Sequence, residues 1–158
     1  MFPLARKDEL YVRKIRSGTV IDHIAAGHAF DVLRILRIDG KDGHVVSVVM
    51  NVPSKTIGSK DIVKIDSREL DAMEVDRIAL IAPKATINIV RDFEVVEKNA
   101  VKLPDIIKGT VKCNNPSCIS NAKEPIEPTF LVEKTDPLTI KCRYCSRTME
   151  KSDVLKQF

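Results

Sequence analysis

The pattern of apolar and polar positions predicts six extended segments in the first hundred residues. Short stretches rich in Val, Ile and Thr, or with apolar and polar residues in alternation, are typical of strands. The Val-rich segment has the pattern of a central strand, and we expect Pro53 to end it. The predicted segments are Leu10–Arg16, Thr19–His23, Val45–Val52, Ile57–Ile65, Thr86–Arg91 and Phe93–Lys98.

Two helices are predicted between these strands. The first covers about Ala26–Ile38, where apolar residues recur at helical spacing until a run of Asp, Gly and Lys at 39–43. The second has a clear start, because Asp71 is a good N-cap and Glu74 can complete a capping box. Pro83 ends it at or just before Ala82.

The order of these elements predicts an α+β fold. Two helices packed on a largely antiparallel sheet are close to the split βαβ, or ferredoxin-like, arrangement. The composition changes near Leu103, because all four Cys and five of the eight Pro lie beyond it. We therefore expect an N-terminal domain at 1–103 and a small, all-β, four-cysteine domain at 104–158. In the second domain a hairpin is expected to turn at 135–137.

Composition and charge exclude several classes of protein. No apolar run approaches the ~20 residues that span a bilayer, and the first residues lack the apolar core of a signal peptide. We therefore expect a cytoplasmic protein with no membrane partner. The net charge of +4 is divided evenly, with +2 on residues 1–103 and +2 on residues 104–158.

The four cysteines predict a metal site. Cys113 and Cys118 are separated by four residues, Cys142 and Cys145 by two, and 23 residues lie between the pairs. Two closely spaced pairs joined by a longer loop are typical of one tetrahedral zinc ion. Four thiolates leave no open position on the metal, so we expect one structural Zn²⁺ per chain. Two disulfides or free thiols are the alternatives.

Two polar groups in the first domain allow a functional and a structural interpretation each. Lys60 and Lys64 share one face of a strand with Ile62, which suits a polyphosphate and a ribose or base, but the pattern alone favours a solvent-facing edge strand. Asp22 and His23 could form an acid–base pair. The pattern favours instead Asp22 near the following helix start, with His23 partly buried. No catalytic motif is recognisable.

The chain resembles the regulatory chain of aspartate carbamoyltransferase over nearly its whole length. The cysteine spacing together with Thr-Val-Ile-Asp-His upstream is highly specific for this family. The resemblance rests on segments 18–24, 51–54, 60–65, 82–88, 93–98, 113–120 and 141–145.

The resemblance implies a noncatalytic subunit that acts in de novo pyrimidine biosynthesis. Its N-terminal domain would bind the nucleotide effectors CTP, ATP and UTP, and its zinc domain would dock on the catalytic chain. Regulatory chains of this family pair as dimers and bridge catalytic trimers into a dodecamer.

The resemblance also assigns a nucleotide site. Asp22, Lys60 and Asn88 would face the ribose and base, and Lys64 and Lys98 would serve the phosphates, with His23 adjacent. Phe93 stands where the family often has Tyr, so stacking is expected there without a hydroxyl contact. The base pocket would be lined by Val12, Ile15, Ile62, Val90, Phe93 and Val95.

A zinc-ribbon protein that binds nucleic acid is the alternative function. The pI near 8.9 supports it. The even division of charge and the small number of aromatic residues argue against it, because a nucleic-acid surface concentrates cations and stacking side chains. We therefore expect no nucleic-acid partner.

Overall fold

The computed structural model of the chain describes residues 14–123 and 126–158. Most of the predicted strand Leu10–Arg16 lies outside these residues, and its described end, 14–16, is not a strand. Within the described residues, no helix combines the length and apolar character needed to cross a membrane.

The first sheet has five strands and two helices. The strands lie in the order β2-β3-β1-β4-β5, with every neighbouring pair antiparallel. The first four strands and the helices follow the βαββαβ connection, so the predicted ferredoxin-like α+β class is confirmed. The elements are β1 (Gly18–Ala25), α1 (Ala29–Ile35), β2 (Val46–Ser54), β3 (Gly58–Asp66), α2 (Ala72–Ile81), β4 (Thr86–Arg91) and β5 (Glu94–Ala100).

The two faces of this sheet differ in composition. Since side chains alternate along a strand, one face carries the β-branched residues and packs against the helices. Burial of each such side chain contributes about 1.5–3 kcal/mol to folding. The core residues of this face are Ile21, Val63, Ile65, Ile87 and Ile89, and the helices add Val32, Ile35 and Ile78. The opposite face carries the polar candidates.

The second helix begins as predicted. The Asp71 side chain accepts the Glu74 N–H at 2.8 Å, and the Glu74 carboxylate accepts the Asp71 N–H at 3.3 Å. Both bonds of the capping box are therefore present. The helix ends at Ile81, one residue before the predicted limit.

Three predictions about local structure are wrong, two about the Val-rich segment and one about the first helix. The Val-rich segment is β2, an edge strand rather than a central one, and Pro53 lies within it. A proline is tolerated there because an edge strand has N–H groups that need no ladder partner. The first helix is shorter than Ala26–Ile38, because Gly27 (φ 91°) and Arg37 (φ 55°) have left-handed backbone conformations at its two ends.

A bulge interrupts each strand beside β3 at the same level. In β1 the register shifts between Ile21 and Ile24, and in β2 it shifts between Val49 and Val52. Bulges bend a strand and change the direction of its side chains, and they are frequent beside functional sites. The stretch of β3 that contains Lys60 thus lies between two irregular neighbours.

The second sheet forms the small all-β region that the sequence predicts. Its strands are β6 (Ile106–Lys108), β7 (Thr129–Thr135), β8 (Leu138–Cys142) and β9 (Thr148–Glu150), in that order. A helix, α3 (Lys151–Leu155), follows β9. The predicted hairpin turn joins β7 to β8 at 136–137. The fully buried side chains of this region are Phe130, Ile140, Met149 and Val154.

Candidate functional sites

The four cysteines converge on one point. Their sulfur atoms all lie within 4.8 Å of one another, with Cys113 Sγ 3.6 Å from Cys145 Sγ and Cys118 Sγ 3.7 Å from Cys142 Sγ. A tetrahedron with Zn–S bonds of ~2.3 Å has S–S edges of about 3.8 Å, so this donor set fits Zn²⁺. The distances exceed the ~2.05 Å of a disulfide, and the cysteines are not bridged.

Hydrogen bonds within the loop between Cys113 and Cys118 position the first pair of sulfur atoms. The Asn115 side chain accepts the Ser117 N–H at 3.0 Å, and its carbonyl accepts the Cys118 N–H at 3.0 Å. The Asn121 side-chain amide donates to the carbonyl oxygens of Cys113 and Asn115. These bonds hold the loop between Cys113 and Cys118 in one conformation.

The second pair lies in a tight turn between β8 and β9. Ser146 has a left-handed backbone (φ 63°) and donates its N–H to the Cys142 carbonyl at 3.0 Å. The Cys142 N–H donates to the Arg147 carbonyl at 2.9 Å. The turn therefore directs both sulfur atoms toward the first pair.

The thiols differ in their readiness to ionise. Burial raises the pKa of Cys113 to about 12, whereas a backbone hydrogen bond at Arg147 lowers the pKa of Cys145 to about 6. A Ser120 hydroxyl bond lowers the pKa of Cys118, and burial raises that of Cys142. A divalent cation would hold all four as thiolates in a closed, structural site.

The polar face of the first sheet collects the predicted nucleotide residues into a row. Lys64 on β3, Val20 on β1, Asn88 on β4 and Lys98 on β5 are consecutive register partners. Paired residues point to the same side of a sheet, so these four side chains share one face. Lys64 and Lys98 are three strands apart, about 14 Å at ~4.8 Å per strand.

A second group of polar side chains, Lys60 and Asp22, lies further along the same face. Lys60 Nζ is 2.9 Å from Asp22 Oδ1, and both side chains are about four-fifths buried, with 16% and 21% exposed. The β1 bulge places Asp22 and His23 opposite Ile62, with His23 in a left-handed conformation (φ 56°). Asp22 is therefore turned toward Lys60.

The edge-strand interpretation of Lys60 and Lys64 is wrong. β3 lies between β2 and β1, so it is an interior strand. Lysines on an interior strand do not protect a sheet edge from pairing. Burial lowers the pKa of Lys64, although the Asp22 carboxylate opposes this shift.

His23 does not form a hydrogen-bonded acid–base pair with Asp22. The His23 Nδ1 atom is 3.8 Å from Asp22 Oδ1 and 3.1 Å from the Thr86 hydroxyl. The Asp22 carboxylate instead accepts the backbone N–H of His23 at 2.6 Å. The structural alternative is only half right, because His23 is partly buried but Asp22 does not bond the start of α1.

Asn88 has an unsatisfied polar atom at the centre of the face. Its side-chain oxygen is buried and has no hydrogen-bond partner among the described residues. Buried polar atoms are nearly always hydrogen-bonded, and an orphan needs an explanation. A donor from a bound ligand would provide one.

The remaining candidates lie around this face. Val90 is buried on β4 and pairs with Val95 on β5, while Phe93 is 60% exposed in the turn between them. The Phe93 N–H donates to the Arg16 carbonyl at 2.8 Å, which places the segment containing Ile15 beside this turn. Val12 lies outside the described residues.

Asp61 is a further buried polar residue, which the sequence pattern did not single out. Its side chain is completely buried on the core face of β3, next to Lys60 in the chain. It accepts backbone N–H groups of Gly27, Ala29 and Asn51. A charged residue at a position where the strand alternation demands an apolar one is the signal that identifies it.

Known proteins similar to this chain carry both regions together. The family model for the aspartate carbamoyltransferase regulatory chain, allosteric domain, matches residues 10–102, and that for its metal binding domain matches residues 105–155. The regulatory chain from Methanothrix thermoacetophila is 61% identical over 141 residues, which cover 89% of this chain and 92% of that protein.

More distant relatives cover almost the full length. The regulatory chain from Thermofilum pendens is 50% identical over 152 residues, 96% of each chain. That from Saccharolobus solfataricus is 51% identical over 157 residues, 99% of each chain. This chain therefore belongs to the family of aspartate carbamoyltransferase regulatory chains, the non-catalytic subunits of that enzyme.

Proposed function

We propose that the polar face of the first sheet binds nucleoside triphosphate effectors, namely CTP, ATP and UTP. The observation that carries this proposal is the buried, unpartnered oxygen of Asn88 in a row that begins and ends with lysines. The amino group of cytosine or adenine is a donor that would satisfy Asn88. UTP lacks that amino group and would offer its ring N–H.

The charges of the face suit the rest of such a ligand. Lys64 and Lys98 offer ammonium groups to phosphate oxygens, and such charge-assisted bonds are the strong ones. Asp22 and Lys60 lie side by side and serve the ribose hydroxyls and the base. Ile62, Val90, Val95 and Phe93 supply apolar contact for the base, with Ile15 and Val12 at the periphery.

Substitution of single lysines tests the site. We expect Lys60→Ala and Lys98→Ala each to weaken nucleotide binding by about tenfold or more, since a hydrogen bond to a charged group is worth ~1.5–3 kcal/mol. Titration calorimetry of the zinc-loaded chain with CTP and ATP measures this loss.

Lys134→Ala provides the matched control, because Lys134 is an exposed lysine on β7 in the other sheet. Its nucleotide affinity and zinc content should equal those of the wild type. If the Lys60 and Lys98 variants bind as tightly as this control, the nucleotide site is not on this face.

The metal-binding region is proposed to dock on the catalytic chain. Ile119 follows the ligand Cys118, and Tyr144 lies between the ligands Cys142 and Cys145; both are large side chains that remain 53% and 40% exposed. Exposed apolar side chains beside a rigid metal centre are suited to a protein interface. Metal binding and docking would then depend on each other.

A second copy of the chain is the other proposed partner. β2 is a nine-residue edge strand, Val46–Ser54, without a single charged residue, whereas the other edge, β5, carries Glu94, Glu97 and Lys98. An uncharged, Val-rich edge is a template for pairing unless something covers it. β2 of a second chain would extend the sheet across a twofold axis and give the regulatory dimer.

These roles place the chain in the control of de novo pyrimidine biosynthesis. CTP and UTP are pyrimidine end products, and a subunit that binds them adjusts the rate of the catalytic chain through differential affinity for two quaternary states. The division into a nucleotide-binding region at 1–103 and a zinc-binding region at 104–158 follows the same proposal.

A further inference from the structure

Asp61 is a buried charge whose hydrogen bonds join three elements. Its Oδ2 accepts the N–H groups of Gly27 at 3.0 Å and Ala29 at 3.1 Å, and its Oδ1 accepts the N–H of Asn51 at 3.0 Å. Removing a carboxylate from water costs several kcal/mol, and these three backbone hydrogen bonds oppose that cost. An apolar residue would fill this position more simply, so the carboxylate needs a reason.

The position of Asp61 connects two faces of the sheet. Lys60, the preceding residue of β3, points to the polar face and pairs with Asp22. Asp61 points to the core face and holds the turn before α1 and the bulge of β2. A movement of β3 at residues 60–61 would therefore change the contacts of Lys60 on the polar face and those of Asp61 on the core face together.

The other end of this connection reaches the metal-binding region. From its first turn, α1 presents Asp31, whose Oδ2 lies 2.9 Å from Lys151 Nζ at the start of α3. His28 Nδ1 lies 3.1 Å from the same Asp31 oxygen and also contacts the Lys151 ammonium. Burial raises the pKa of Asp31, but the bonds from Lys151 and His28 outweigh it and hold the pKa below 3.8.

Further along, α1 and the residues after it contact the last residue of the sequence. Arg34 Nε donates to the Phe158 carbonyl at 3.1 Å, and the Arg37 guanidinium lies 5.3 Å from the centre of the Phe158 ring. Arg77 of α2 approaches the same ring at 5.0 Å. The helix is thus attached to β3 at one end and to the α3 region along its length.

We propose that Asp61 is a positioning residue that couples the polar face to the metal-binding region, through the start of α1 and the Asp31–Lys151 ion pair. The inference rests on the proposed nucleotide function. A ligand that competes for Lys60 shifts β3 at residues 60–61, Asp61 moves the start of α1, and Asp31 moves Lys151. No residue in this route needs to touch the nucleotide except Lys60.

The test uses the holoenzyme reconstituted with the aspartate carbamoyltransferase catalytic chain of the same organism. The readout is the effector response, defined as the ratio of activity with and without saturating CTP or ATP. A ratio of one means that the effector has no effect. Asp61→Asn, Asp31→Asn and Lys151→Gln should each bring the ratio at least about fivefold closer to one than it is in the wild type. Nucleotide dissociation constants should stay within about twofold of wild type, and zinc content should not change.

Matched variants separate coupling from a structural role. Lys156→Gln makes the same change at an exposed position directly after α3, and its response should equal the wild type. The exchange Asp31→Lys with Lys151→Asp restores opposite charges and should recover much of the response that either single change removes. If Asp61→Asn does not fold by circular dichroism, the two surface variants and their exchange decide the question.

Two failures are distinguishable. A wild type that binds and responds to nucleotides, with Asp31→Asn and Lys151→Gln responding equally, would overturn the coupling route alone. A wild-type chain that binds no nucleotide would overturn the proposed function and this inference together.

Discussion

In the proposed nucleotide site, a ligand that bonds Asp22 or Lys60 must break the ion pair between them. Each neutralises the other at 2.9 Å, and both are mostly buried. A ligand hydroxyl that bonds Asp22 releases Lys60, and a ligand oxygen that bonds Lys60 releases Asp22. In the proposed nucleotide site, a ribose hydroxyl and a base would therefore use the two members of this pair in different ways.

Lys64 should make nucleotide binding depend on pH. Burial holds its pKa below 10.5, so its charged form is disfavoured in the free chain. A phosphate favours the charged form and raises that pKa, so binding takes up a proton at alkaline pH. Affinity should therefore fall as the pH rises through the lowered pKa that Lys64 has before the nucleotide binds.

Calorimetry at a series of alkaline pH values, in two buffers with different ionisation enthalpies at each, measures this proton uptake. Lys64→Arg is the matched control, because a guanidinium stays protonated throughout this range and should abolish the uptake. An equal uptake in this variant would assign the proton to another group.

Single residues show where prediction from sequence succeeds and where it stops. The spacing of the cysteines was sufficient to predict the metal centre, because each pair of sulfur atoms is positioned by one short loop and such loops are visible in the sequence. Asp61 was missed because its three partners lie 10 to 34 residues away. Asp22 was expected near the start of α1, a position that Asp61 serves instead.

At the scale of elements, local signals predicted what local interactions determine. The capping box of α2 was predicted from Asp71 and Glu74, because both partners lie within one turn. The position of β2 at the edge of the sheet was not predicted, because strand order depends on pairing between distant segments. A Val-rich strand is typical of a buried position, and β2 has that composition at an edge.

The edge strand supplies a prediction about assembly. Val49→Lys places a charge on the apolar edge of β2 and should shift the chain from dimer to monomer, because an edge lysine opposes strand pairing. Sedimentation velocity measures the change, with circular dichroism to verify the fold.

Val96→Lys is the control on the opposite edge, β5, where charged residues already stand. It should leave the dimer intact. A Val49→Lys chain that remains dimeric while Val96→Lys dissociates would assign the interface to β5.

At the scale of the whole molecule, the two sheets share one connected hydrophobic core. Buried residues of both regions form a continuous cluster, and α1 contacts α3 through the Asp31–Lys151 pair. The even division of charge, which argued against nucleic acid, agrees with the proposal that a few lysines serve a local nucleotide site on one sheet. The contact between the regions could not be predicted, because nothing in the periodicity of either part refers to the other.

The activity of the catalytic chain in the presence of this chain is the most direct test of the regulatory role. The catalytic chain of the same organism is assayed alone, with the zinc-loaded regulatory chain, and with the chain after zinc removal, each with and without CTP, ATP and UTP. We expect nucleotides to change the activity only when the zinc-loaded chain is present, because docking requires the metal-bound fold. An activity that no nucleotide changes in the zinc-loaded complex, or that changes equally without this chain, would contradict the account.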